Sequence, residues 1–311
     1  MNSNKIKLLN FILFLDFVIY IFSNLIIFKY SPSTAYSIFT LCIRDIIIFL
    51  FSIVLYTYFC NSKISSIILF PKINNKIIKN SIIIGLSFYF VANGINLIFT
   101  HIFKFTLKNT VYLNSIYDVY DLGIGFIFYI VIYTIFVEIF FRGILNDAYK
   151  FLSYKIKLVL TAFIFAIFFF GLSQFFYGFI LGILLMSFFN KVGNIGPVII
   201  ASSVVNVLNY VVKLIGKNVM STGVGRMITV LSKGDIFTDF LFPVIIILLG
   251  LIIYSIFEDK IKVKNNGDSK KLSNVTELTF NMGVRNIVDI YFILFLVFSI
   301  FILFVSYVFL G

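Results

Sequence analysis

Charge is what this chain has least of: only 12% of its 311 residues are Asp, Glu, Lys or Arg. Soluble domains carry about a quarter, and a chain that is 61% hydrophobic cannot clothe a water-facing surface with so few charges. The soluble globular class is thereby excluded. Histidine is almost absent, with His101 the single example. A zinc site draws three protein ligands from His, Cys and carboxylates, and neither His101 nor the two cysteines stands in a ligand spacing, so no metal or other cofactor is expected. Cys42 and Cys60 fall on one predicted span, about 27 Å apart along a helix, too far to bridge. Tryptophan is missing, and the aromatic content rests on 42 Phe and 18 Tyr. Acids are few as well, 13 against 25 bases. The net charge of +12 does not point to nucleic acid, because the basic residues sit between apolar runs rather than in one patch.

What is there is a succession of apolar stretches near the length a bilayer needs. They lie at about 8–28, 38–60, 81–103, 122–146, 158–174, 176–190, 195–215, 240–257 and 287–310. The first is too long for a signal peptide and ends without a small-residue cleavage site, so it reads as a retained span. The sixth is short and reads as tilted or partly re-entrant. Lys and Arg are biased to alternate loops, 16 on one side against 7 on the other. The positive-inside rule then puts the N-terminus in the cytoplasm and the basic loops against anionic lipid. The most polar segment, 258–286, reads as a solvated cytoplasmic linker.

Charge at membrane depth is costly and marks a pairing or a site. Asp16, Arg44, Asp45 and Asp289 are such residues, with Arg285 and Asp289 spaced i, i+4. The most telling pair is Glu138 and Arg142, in IVIYTIFVEIFFRGILN at 130–146. Four residues apart on a helix, they share a face, with the acid first. Further along, Gln174 ends the fifth stretch, and Ser202, Ser203 and Asn206 lie on the seventh, Ser202 and Asn206 again sharing a face. These can cluster with Glu138 and Arg142 at the bundle centre, or serve as interhelical hydrogen-bond glue.

Taken in order, these segments resemble the CPBP family of intramembrane endopeptidases, also called the Abi or CAAX-protease family. The family pattern is EExxxR, often continuing as FRG, then FxxxH, a GxLLG-rich span, a turn like (K/R)xGNxxxP, and HxxxN. The chain reads Val137-Glu138-Ile139-Phe140-Phe141-Arg142-Gly143, then Phe170-Gly171-Leu172-Ser173-Gln174, then GFILGILL at 178–185. Lys191-Val192-Gly193-Asn194-Ile195-Gly196-Pro197 and Ser202-Ser203-Val204-Val205-Asn206 follow. The resemblance covers about 122–212. It implies an all-α polytopic transmembrane helical bundle of eight to nine spans. N-terminal spans at 1–121 and C-terminal spans at 216–311 flank a protease-like core at 122–215.

The departures fall on the chemistry. The family's first Glu, taken to activate the attacking water, is Val137 here, and its two motif His are Gln174 and Ser202. Glu138, Arg142 and Asn206 persist. Peptide hydrolysis needs a base, an acid and oxyanion donors. Gln, Ser and Asn donate hydrogen bonds but do not titrate near neutral pH. Ser202 or Ser203 as nucleophile would need a positioned base, and none is visible in the spacing. The site implied by the resemblance is therefore Glu138, Arg142, Gln174, Ser202 and Asn206, in degenerate form.

The expectation is an integral membrane protein of a bacterial plasma membrane that has lost catalysis. It would bind a hydrophobic peptide or another membrane protein, with bacteriocin-type self-immunity as a setting by family analogy. The alternatives are an active divergent intramembrane endopeptidase and a small-solute permease. The permease would need Asp16, Arg44 and Asp289 to converge on a cavity.

Overall fold

A computed structural model describes residues 2–30, 34–62, 67, 73–102, 126–168, 172–220, 240–258, 260 and 287–310. They form nine helices and, among the described residues, no strand: α1 (Asn2–Tyr30), α2 (Thr34–Phe59), α3 (Asn75–Ile102), α4 (126–148), α5 (Tyr154–Ile167), α6 (Leu172–Val192), α7 (Ile195–Met220), α8 (Phe242–Glu258) and α9 (Ile290–Leu310). Four carry stretches long and apolar enough to cross a membrane: Asn4–Ser23, Asn75–Phe99, Gln174–Val192 and Ile195–Val212. The chain is an all-α membrane bundle.

Helix α4 is the centre of it. Phe140, Ile144 and Leu145 have no exposed surface, and Val137, Glu138, Phe141 and Arg142 are buried as well. The stretch 130–145 is apolar on most sides because it packs against several neighbours, with Thr134, Glu138 and Arg142 as its one polar line. It packs against α2, α7, the start of α5 and the start of α1. Outside this centre, α3 packs on α6, α7 and α8, while α9 packs on α1 through edge-on rings such as Phe17 with Phe295.

Two close approaches set the position of α7. A Cβ on Gly85 of α3 would stand 2.6 Å from the Ala201 carbonyl oxygen, so only glycine lets α3 come this near. At the other end, the turn KVGNIGP sets the entry. Gly193, with φ of 65°, ends α6 in the left-handed region that glycine occupies without strain. Its N–H donates to the Phe189 carbonyl at 2.8 Å. Asn194 Oδ1 then accepts the Gly196 N–H at 2.9 Å, capping α7. Pro197 falls in the first turn, where its missing N–H costs nothing.

Several expectations need correction. The short helix is the fifth, not the sixth: α5 has 14 residues, whereas α6 has 21. At 1.5 Å per residue α5 spans about 21 Å, less than the hydrocarbon core. Gln174 consequently stands in the first turn of α6 rather than at the end of the fifth span. Two apolar helices in succession give no change of period at their junction, so the break was misplaced. Asp289 Oδ1 accepts the Phe292 N–H at 2.8 Å and caps α9. Cys60 sits in the turn after α2 rather than within the helix. Arg285, Phe170, Gly171 and most of 258–286 lie outside the described residues, as do the side chains of Cys42 and His101.

The other charges find separate, local partners. Asp16 accepts the Ser52 hydroxyl at 2.6 Å, and Arg44 pairs with Asp45 and lies over the Tyr20 ring at 4.0 Å. With Asp289 at a helix cap, each of these residues has a local partner of its own.

Candidate functional site

The site is built on α4 and α7. Helix α4 is not a regular α-helix: two stretches, Phe126–Tyr133 and Ile139–Ile144, are wound as π-helix on either side of Thr134–Glu138. The Leu145 N–H accordingly reaches the Phe140 carbonyl, five residues back. Such wide turns occur mostly where function demands them. Here they flank Glu138 and include Arg142.

Arg142 Nε lies 3.0 Å from Glu138 Oε2, and both side chains are essentially sealed from solvent. The guanidinium also lies 4.8 Å from the Phe165 ring centroid and 5.8 Å from that of Phe141. A desolvated cation over aromatic faces gains about 2 kcal/mol. The rings are held in turn by Phe49 of α2, 5.4 Å from Phe140 and 6.0 Å from Phe141. The cation is thus supported on one side by a carboxylate and on the other by aromatic faces. Hydrogen bonding is poorer: among the described residues neither Glu138 oxygen, nor Arg142 Nε or Nη1, has an aligned partner. The contact is an ion pair with badly aimed N–H groups.

Helix α7 runs antiparallel to α4, and one hydrogen bond fixes the register. Asn206 Nδ2 donates to Thr134 Oγ1 at 2.8 Å, and Thr134 donates to the Ile130 carbonyl at 2.5 Å. One turn along, the register brings Ser202 opposite Glu138, and the hydroxyl interacts with the carboxyl group without the alignment of a full hydrogen bond. Four of the five residues expected at the site, Glu138, Arg142, Ser202 and Asn206, therefore meet along this α4–α7 seam.

Gln174 is not joined to them. It is half-buried on α6, makes no hydrogen bond to the other four, and stands one turn before Tyr177. The Tyr177 hydroxyl accepts Asn209 Nδ2 at 2.6 Å, and Asn209 Oδ1 in turn lies 3.5 Å from Asn93 Nδ2 of α3. Val137 is buried among apolar side chains. Ser203, beside Ser202, is half-buried. No three His, Cys, Asp or Glu side chains gather among the described residues.

Two residues around the pair escaped the sequence reading. Thr134 is one turn before Glu138, a spacing that points to it once the helix is known. Phe165 carries no signal, since a phenylalanine under a guanidinium reads like any other in a chain with 42 of them.

The fold and seam define an integral membrane helical bundle with an acid–base pair at its core. Residues 121–208 match the family model described as Type II CAAX prenyl endopeptidase Rce1-like, and over this stretch the chain is similar to the CAAX-protease (CPBP) family. The matched stretch runs from just before α4 into the second half of the seam on α7. No curated protein and no solved structure matches the chain.

Proposed function

We propose that this protein is a catalytically degenerate member of its family that acts by binding a hydrophobic peptide or another membrane protein. The observation that carries the reading is a division of labour along the seam. The bracing groups Glu138, Arg142 and Asn206 are kept. The positions that match the family's water-activating Glu and its two His hold Val137, Gln174 and Ser202. Valine has no proton to exchange, and a carboxamide and a hydroxyl do not titrate near neutral pH. Glu138 is already engaged by Arg142 Nε at 3.0 Å. In this reading 122–215 is the peptide-binding core, and the flanking spans at 1–121 and 216–311 enclose it.

In this reading the membrane is a bacterial plasma membrane with the N-terminus in the cytoplasm, the side the lysine bias favours, and contacts join helix ends at one end of the bundle. Asn10 near the start of α1 donates to the Ile287 carbonyl before α9 at 2.8 Å, and Lys191 at the end of α6 pairs with Glu258 at the end of α8. Self-immunity against a bacteriocin is a setting this binding role would suit.

The test is cleavage. Purified full-length protein should leave a prenylated CAAX peptide intact, and Val137→Glu, Gln174→His and Ser202→His together should gain activity if the rest of the site is sound. Cleavage by the unaltered protein that disappears in Glu138→Ala would overturn the proposal in favour of an active, divergent endopeptidase.

A further inference from the structure

We infer that Asp16 is a neutral carboxylic acid whose proton clasps α1 to α2, at a point in the bundle separate from the α4–α7 seam.

The other acids of the chain set the contrast. Among the described residues, Asp45 pairs with Arg44, Glu138 with Arg142, Asp147 with Lys5 and Lys150, and Glu258 with Lys191. Asp289 accepts a backbone N–H. Asp16 has neither kind of partner, and what faces it is the Ser52 hydroxyl of α2. Both side chains are fully buried, and Asp16 lies inside the apolar stretch Asn4–Ser23. An ionised carboxylate at membrane depth is costly, and one neutral hydroxyl does not offset that cost.

Counting hydrogens gives the direction of the bond. Ser52 Oγ stands 2.6 Å from Asp16 Oδ1, 2.7 Å from Asp16 Oδ2 and 2.8 Å from the Ile48 carbonyl oxygen. A hydroxyl has one hydrogen to give. With Asp16 ionised, that hydrogen would be shared among three oxygens, two of them carrying the charge. With Asp16 protonated, its O–H donates to Ser52 Oγ, and the Ser52 O–H donates to the Ile48 carbonyl. Two hydrogens then serve two bonds of ordinary O–H···O length, and no charge is buried. The carboxyl is the donor, the reverse of the direction an ionised Asp16 would impose.

The described groups around α1 leave this count unchanged. Helix α1 packs on α2, α9 and the end of α4. On α1 itself, Lys5 is held by Asp147, Lys7 is exposed, and Tyr20 lies under the Arg44 guanidinium. On α2, Arg44 pairs with Asp45, the Tyr56 hydroxyl donates to Asp147, and Tyr58 is exposed. On α9, Tyr291 packs edge-on against Phe11. At the end of α4, the Tyr149 hydroxyl donates to Asn10. The proton is the fastener: without it, α1 and α2 would press a lone negative charge into an apolar contact.

The experiment is infrared spectroscopy of full-length protein in detergent at neutral pH, read at the C=O stretch of protonated carboxyl groups. The difference spectrum between unaltered protein and Asp16→Asn should show the loss of one protonated-carboxyl band. Asparagine keeps the shape and neutrality of the acid, so this variant should melt close to the unaltered protein. Ser52→Ala should shift the same band, because the acid loses its acceptor on α2. A further measurement needs no substitution at position 16: isotope-labelled aspartate should move the band in otherwise unaltered protein. Loss of a carboxylate band in place of a protonated one, or a band that the label does not move, overturns the inference. So does a band that Ser52→Ala leaves in place, since that acid would not be clasped to α2.

Discussion

Helix α4 carries two acids nine residues apart, Glu138 and Asp147, and the chain treats them in opposite ways. Asp147, at the helix end, is crowded with donors. Lys5 Nζ and the Tyr56 hydroxyl reach its Oδ2 at 2.9 Å each, and Lys150 Nζ reaches Oδ1 at 3.0 Å. Glu138, at membrane depth, has one guanidinium and no aligned hydrogen bond. The first is a strap tying the start of α1, the end of α2 and the turn after α4 to α4. A carboxylate satisfied by its neighbours has a structural role, while the one left with unmet oxygens belongs, in the proposed reading, to the binding core. The difference separates the part of α4 that holds the bundle together from the part that serves the site.

That contrast is broken most severely at Arg142. Removing it strands a buried carboxylate, and loss of one partner of a buried pair costs about 3–5 kcal/mol. Arg142→Met should therefore unfold in detergent at markedly lower denaturant, and Glu138→Gln with Arg142→Met should recover most of the loss. Equal stability of the single and double variants would show that the charges are not coupled. Next is Gly85→Val, which drives a side chain onto the Ala201 carbonyl oxygen. Overpacking of this kind costs about 1–3 kcal/mol, and thermal unfolding in detergent should register it.

Asp147 should matter less, because exposed ion pairs are worth about 1 kcal/mol or below. Burial raises its pKa, but Lys5, Lys150 and Tyr56 together outweigh that and hold the carboxyl below its ordinary value of 3.8. A depressed carboxylate gives stability that is complete above its unfolded value and is lost as pH falls through the folded one. Melting temperature should drop on acidification below about pH 4, and Asp147→Asn should lessen that drop. The smallest effect is expected at Thr134→Val, which removes the partner of Asn206. Intramembrane hydrogen bonds average about 0.6 kcal/mol. A melting shift near the detection limit, together with weakened binding of a hydrophobic peptide, would distinguish a site residue from a strut.

Much of this was legible beforehand. The membrane class follows from 61% hydrophobic residues and 12% charge, because no soluble surface can be made from them. The Glu138 and Arg142 pairing followed from helical spacing alone. The boundary between α5 and α6 did not, since both flanks are continuous apolar sequence, and that error moved Gln174 from one helix to another. The separate fates of Asp16, Arg44 and Asp289 were also hidden, because their partners are a serine on another helix, a sequence neighbour with a tyrosine, and a backbone N–H.

Sequence by itself determined the solvent this protein lives in, the helical class, and the spacing that puts Glu138 and Arg142 on one face. Those depend on composition and short-range spacing, which a chain displays in one dimension. Tertiary structure decided which of the motif residues meet. The register of α4 against α7, held by the bond from Asn206 to Thr134, sets Ser202 beside Glu138, while Gln174 on α6 makes no hydrogen bond to them. Register is a property of two packed surfaces, and neither helix carries it alone.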